Sequence, residues 1–163
     1  MFTVACTRFN NETWQENLDW RKQHNYEGCI YGTPVRMKEN IPFERLVFVL
    51  EMNNDKNRIE GVGLIRKQLK LDKYYKIYKN WNYNRFTYAS SYRIDRDGID
   101  NDDETVFKTL DQLLFKGARH IKRGHGIQQL PRWILKNKYK YSFAKFFRDL
   151  FSSTYSQTQM NLK

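Results

Sequence analysis

Apolar residues come in short blocks separated by polar punctuation, and the period of the blocks changes along the chain. Phe2–Phe9 is rich in β-branched and aromatic residues and reads as a strand. Asn10, Asn11, Glu12 and Thr13 follow with capping character, and Trp14, Leu18 and Arg21 then share one face at helical spacing. Asn17 borders that face and Trp20 points away from it, so the pattern predicts a short helix with a narrow stripe. Residues 28–33 form a second apolar run, closed by Pro34, and Ile41-Pro42 marks a turn. Residues 46–50 are continuously apolar and of strand length. The polar run 53–57 is a strong turn signal, and residues 59–65 follow as a second strand, which together predict a β-hairpin. Gly61 and Gly63 interrupt that second strand and point to a bulge or a close approach.

Residues 74–78 and 85–94 have aromatic, alternating character and read as strands, with a polar loop between them that carries Trp81 and Tyr83. An acidic cluster at 100–104 precedes Val106, Leu110, Leu113 and Leu114 at helical spacing, and Gly117 closes the segment. Acids at the start and Lys116 at the end suit the helix dipole, so the cluster reads as capping. Pro131 suits the first turn of a helix through about Asn137. A last helix starts near Ser142, with Phe143, Phe146, Phe147, Leu150 and Phe151 on one side. With no internal repeat, the chain reads as one domain. It has a core over 2–99, a basic helical extension over 100–152 and a frayed polar tail over 153–163.

Charge changes the picture more than composition does. Residues 1–63 carry 8 Lys and Arg against 9 Asp and Glu, a net of −1, whereas residues 64–163 carry 21 against 9, a net of +12. A half this basic favours phosphate backbones or anionic membranes. No apolar run approaches the ~20 residues of a membrane helix, and the N-terminus lacks the basic flank of a signal peptide. The expected location is therefore intracellular, in cytoplasm or nucleus, with no membrane partner. Cys6 and Cys29 sit in apolar strand-like runs and read as buried free thiols in a reducing compartment.

The hairpin resembles the central hairpin of PUA-like domains in the EVE and YTH families. Residues 46–53 (LVFVLEMN) and then 58–63 (RIEGVG) form an apolar strand, a short polar turn, and a strand of the form I-x-G-x-G. Met37-Lys38 before it and residues 92–95 (YRID) after it are similar to the same pattern, and the resemblance spans about residues 2–95. It implies an α+β fold: a small curved β-barrel with flanking helices, here followed by a C-terminal helical extension. It further implies a pocket that holds a modified or extruded base. Tyr31 stands where YTH domains place a tryptophan wall, Trp81 lies where they place a second wall, and residues 7–10 match the stretch of polar contacts. The base-pocket set on this reading is Arg8, Phe9, Trp14, Trp20, Tyr31, Thr33 and Trp81. The alternative for most of these rings is core packing.

The phosphate-binding candidates are Arg119, His120, Lys122, Arg123, His125, Arg132, Lys136 and Lys138. Ten Lys or Arg and no acid fall between Lys116 and Arg148, and the glycines of the 116–126 loop free backbone amides for phosphate oxygens. The spacing is not that of a Walker loop. The acids Asp95, Asp97 and Asp100 do not fit a calcium loop, and two cysteines alone do not make a zinc site. No catalytic residue, metal ligand or cofactor motif is assigned, and His120 and His125 have no carboxylate nearby in sequence. The leading expectation is a module that binds RNA or DNA and is not an enzyme. The alternatives are a structural or assembly protein, such as a small virion or ribonucleoprotein component docking through the phenylalanine-rich helix, and a nuclease.

Overall fold

The computed structural model describes residues 2–155. Its strands are β1 (Phe2–Phe9), β2 (Cys29–Thr33), β3 (Leu46–Asn53), β4 (Arg58–Arg66), β5 (Phe86–Ser90), β6 (Tyr92–Asp95) and β7 (Gln128–Gln129). Its helices are α1 (Asn11–Gln23), α2 (Asn101–Phe115), α3 (Arg132–Leu135) and α4 (Phe143–Thr154). The fold is α+β. Five strands form one sheet in the order β6-β4-β3-β1-β7, and β2 pairs with β5 in a second.

The strands do not close into the curved barrel expected from the sequence. β2 and β5 pair only with each other, and β7 covers the β1 edge with two residues, so no ladder joins the two sheets among the described residues. The two sheets still meet: the Ser90 hydroxyl of β5 donates to the Leu64 carbonyl of β4. Gly63 makes room for that approach, because a Cβ there would lie 2.6 Å from Cys29 Sγ.

The five-stranded sheet is buried on both faces, which is why β3 is apolar without a break from Leu46 to Leu50. Val4, Cys6, Phe48, Leu50 and Met52 face α2 and α4, where Phe107, Phe143, Phe147 and Phe151 complete a core. Ala5, Phe9, Val47 and Val49 face the other way, onto Trp20, Ile30, Tyr31, Tyr78 and Tyr88. The helical region is thus half of the core and supplies an edge strand as well. Phe143, Phe147 and Phe151 are spent inward, and the exposed side of α4 carries Lys145, Arg148 and Asp149. No helix among the described residues is long and apolar enough to cross a membrane.

Caps sit where the sequence placed them. Asn10 accepts from the Thr13 amide at the start of α1, Asp100 from the Asp103 amide before α2, and Ser142 from the Lys145 amide before α4. The β3–β4 turn is held by Asn53, whose side chain accepts from the amides of Asp55 and Lys56. The bulge falls on β4 at Glu60–Gly61, opposite Glu51.

Five further expectations are corrected. Residues 74–78 are not a strand: the Ile77 and Tyr78 amides donate to the Asn84 side chain instead of to a neighbouring strand. Residues 85–94 split at Ser91 into β5 and β6, which belong to different sheets. Trp20 is buried with Asn17 and Arg21, because α1 buries polar side chains as well as rings. The helix after Pro131 ends at Leu135, short of Asn137. Ser153 and Thr154 of the expected tail belong to α4, and the tail from residue 156 lies outside the described residues.

Candidate nucleic-acid interface

β1 and β3 run parallel, from Phe2 opposite Leu46 to Phe9 opposite Asn53. Their carboxyl ends therefore open at the same end of the sheet. Three other segments arrive there: the end of β2, the loop around Tyr78 and Tyr83, and the glycine loop at 122–126. Together they enclose a hollow of about 250 Å³. Its rings are Phe9, Tyr31, Tyr78 and Tyr83, its cations are Arg8 and Lys122, and the His125 imidazole lies beside them. Thr7, Asn10, Thr13 and Asn54 add polar atoms, and Gly32, Pro34, Gly124 and Gly126 add backbone. Two larger hollows, of about 500 and 590 Å³, lie beside Leu69–Asp72 and beside Ile127–Arg132. Neither brings several rings and convergent hydrogen-bonding groups together, which is the combination that marks a ligand site.

The glycine loop is tied to the sheet at defined points. Arg8 donates from Nε to the Ile121 carbonyl at 2.9 Å and from Nη1 to Gln128 Oε1 at 2.8 Å. Asn54 Nδ2 donates to the Lys122 carbonyl at 2.8 Å. Gly124 and Gly126 have φ of +135° and +70°, a region that L side chains rarely adopt. A Cβ on Gly124 would also meet Arg8 Nη1 at 3.0 Å. The loop thus holds backbone and cations close to the rings without filling the hollow.

Behind the rings lies a buried charged cluster. Tyr31 donates its hydroxyl to Glu51 Oε2 at 2.8 Å, and Arg93 Nη2 donates to Glu51 Oε1 at 2.7 Å. Gly61 leaves space for this pair, since a Cβ there would lie 2.6 Å from Arg93 Nη2. Burial pushes the Tyr31 hydroxyl well above its ordinary value, reinforced by the neighbouring Glu51 carboxylate, so the proton stays on the phenol. For Arg93, burial works against the charge, but Glu51 outweighs it and raises the guanidinium further. Arg21 donates from Nε to Asn17 Oδ1, and Asn17 Nδ2 donates to Tyr78 Oη and to the Ile30 carbonyl. Burial and the charge of Arg93 lower the Arg21 guanidinium, and its buried Nη2 has no hydrogen-bond partner among the described residues. Two of the hollow's rings, Tyr31 and Tyr78, are therefore fixed from behind by hydrogen bonds.

Not every residue expected in the base pocket lies there. Arg8, Phe9 and Tyr31 line it. Trp14 does not: its ring meets Phe9 edge-on at 5.2 Å, and the Arg21 and Arg93 guanidiniums lie 5.5 and 5.6 Å from its centroid. Trp20 is far inside, stacked on His24 at 4.1 Å and packed against Tyr26 and Tyr75. Thr33 is buried, with its hydroxyl donating to the Val35 carbonyl. Trp81 stands outside the hollow and is 67% exposed. Tyr78, Asn54 and Gly32 line the hollow without having been singled out. The parallel pairing of β1 with β3 is what would have placed Asn54 beside Phe9 and Asn10.

Of the expected phosphate contacts, Lys122 and His125 reach the hollow. Arg123 is exposed beside them, and His120 accepts the Lys122 amide on Nδ1 at 3.3 Å. Arg119 covers the Trp133 ring at 4.2 Å and so connects the loop to α3. Arg132, Lys136 and Lys138 are exposed on and after α3, away from the hollow. Charge neutralisation is uneven. Glu51, Glu60, Glu104 and Asp111 are taken by Arg93, Arg58 and Arg96. Of the ten cations between Lys116 and Arg148, Lys145 alone makes an ion pair among the described residues, with Asp149. No family model matches the chain, and neither a curated protein nor a solved structure matches it.

Proposed function

We propose that this chain is a nucleic-acid-binding module that accepts one extruded or modified base in the hollow at the carboxyl ends of β1 and β3. The observation that carries this reading is convergence. The basic glycine loop and the β1 exit with Tyr31 are separate signals about a hundred residues apart, and they line the same hollow. A base would lie among Phe9, Tyr31, Tyr78 and Tyr83, and its phosphate would meet Arg8, Lys122 and the loop amides. The uncompensated cations after Lys116 would add sequence-independent, salt-sensitive affinity. A PUA-like architecture fits the central hairpin and the turn at Ser91, which brings β5 and β2 against β4. The reading as an assembly protein has less support, because the phenylalanines of α4 already pack in the chain's own core.

The test is binding of the full chain to an oligonucleotide across a salt series. Affinity should fall linearly on a logarithmic plot. Arg119→Ala with Arg123→Ala should lower the slope by about 1.5 to 2, one phosphate for each cation. An affinity indifferent both to salt and to this double substitution would overturn the reading.

A further inference from the structure

Residues 73–85 interleave rings with cations. The segment carries Lys73, Lys76, Lys79 and Arg85, no carboxylate, and five large rings. Tyr75 and Tyr78 are buried and serve the core. Tyr74 and Trp81 do not: they are 63% and 67% exposed. What sets the Trp81 indole apart is its company: it is left in water in a segment that carries Lys76, Lys79 and Arg85 and no acid.

The backbone beneath Trp81 is held in place. The Asn84 side chain accepts from the Ile77 and Tyr78 amides and donates to the Tyr78 carbonyl at 2.8 Å. Glu16 of α1 accepts the Lys79 amide at 2.8 Å, and Asn80 accepts the Asn82 amide. The ring is thus presented from a fixed loop, which reduces the ordering cost of contact with a ligand. Two residues on, Tyr83 lines the hollow and meets Tyr78 edge-on at 6.2 Å. One short 3₁₀ turn, Trp81–Asn84, supplies both Tyr83, a wall of the hollow, and, two residues before it, the exposed Trp81 ring.

We propose that Trp81 is a stacking platform for an unpaired base next to the one held in the hollow, which makes single-stranded nucleic acid the ligand class. This rests on the reading of the hollow given above. Aromatic platforms flanked by cations hold single strands, because every base has a face to stack while Lys and Arg track the phosphates. A base that stays paired in a duplex is already stacked on its neighbours and cannot reach such a ring.

The experiment compares the full chain with Trp81→Ala and Trp81→Phe by fluorescence anisotropy. The probes are a mixed-sequence single strand, the same sequence as a duplex, and the same strand with abasic positions. Trp81→Ala should weaken single-strand binding by roughly 5- to 150-fold and leave duplex binding unchanged. Trp81→Phe should retain most of the affinity. Abasic positions should weaken the wild-type chain and cause little further loss in Trp81→Ala. Equal single-strand affinity in Trp81→Ala and wild type would overturn the proposal alone and leave the exposed rim to a protein contact. An equal loss on the duplex would overturn it too. A wild-type chain that binds none of the probes would overturn both this proposal and the reading of the hollow.

Discussion

Replacing Glu51 by glutamine changes one charge and almost no volume, which makes it a clean probe of the cluster behind the hollow. In the native chain the carboxylate accepts from Arg93 Nη2 at 2.7 Å and from the Tyr31 hydroxyl at 2.8 Å, while only 2% exposed. Glutamine would leave the Arg93 charge buried next to Arg21, with the exposed Asp95 at 3.1 Å as its remaining ion-pair partner among the described residues and Trp14 between 5 and 6 Å from both guanidiniums. Removing one partner of a buried ion pair costs about 3–5 kcal/mol. That is a large part of the ~5–15 kcal/mol total stability of a domain. At roughly 2–4 °C per kcal/mol for a chain of this size, the melting temperature should fall by about 6–20 °C. Urea titration followed by circular dichroism measures the free energy. The double variant Glu51→Gln, Arg93→Met should lose less than the sum of its singles, by about 0.5–3 kcal/mol. A single-variant loss under about 1 kcal/mol, or strict additivity in the double, would refute the view that the pair neutralises a buried charge.

Gly124→Ala should weaken oligonucleotide binding and cost about 1–3 kcal/mol, because its φ is +135° and the new methyl would meet Gln128 Oε1 at 2.5 Å. Gly117→Ala, at φ +76° in open space, should lower stability without affecting binding, and titration of both variants distinguishes the two effects. Phe147→Ala should cost about 3–5 kcal/mol in urea unfolding, since the ring is fully buried against Phe48 and Phe107. Alkaline pH should destabilise the fold. Burial pushes the Cys29 thiol from 9.0 up to about 11 and the Tyr26 phenol from 10.0 up to about 12. The folded state therefore keeps these protons longer than the unfolded state does. The stability they contribute is intact below pH 9 and is lost as pH rises toward 12. Tyr26→Phe should flatten the upper part of a melting-temperature profile recorded across that range.

Much of the fold was legible because its signals are local. An uninterrupted apolar run identified β3, the asparagine-rich turn joined it to β4, and Asp100 and Ser142 marked two helix starts. What escaped depended on partners far away in the chain. Residues 74–78 alternate as a strand would, yet the Asn84 amide group takes their hydrogen bonds. The aromatic run 85–94 concealed a change of sheet at Ser91. Trp20 was misplaced because the spacing sets the face on Trp14, Leu18 and Arg21, whereas the buried side of α1 is Asn17, Trp20 and Arg21, two of them polar. For the hollow, Arg8, Phe9, Tyr31, Lys122 and His125 carried a sequence signal of their own. Tyr78, Asn54 and Gly32 became part of it only through the parallel pairing of β1 with β3 and the packing of two loops, and neither is written in any single stretch of sequence.

The two outermost strands of the larger sheet are its shortest. One margin is Tyr92–Asp95, carrying an arginine and an aspartate, and the other is the glutamine pair of β7. The long, strongly β-prone strands β1, β3 and β4 sit inside. At either margin, a second molecule trying to extend the sheet would meet a strand of only two or four residues. The short margins thus limit fibrillar growth from a valine- and phenylalanine-rich interior, while the hollow occupies one end of the same sheet.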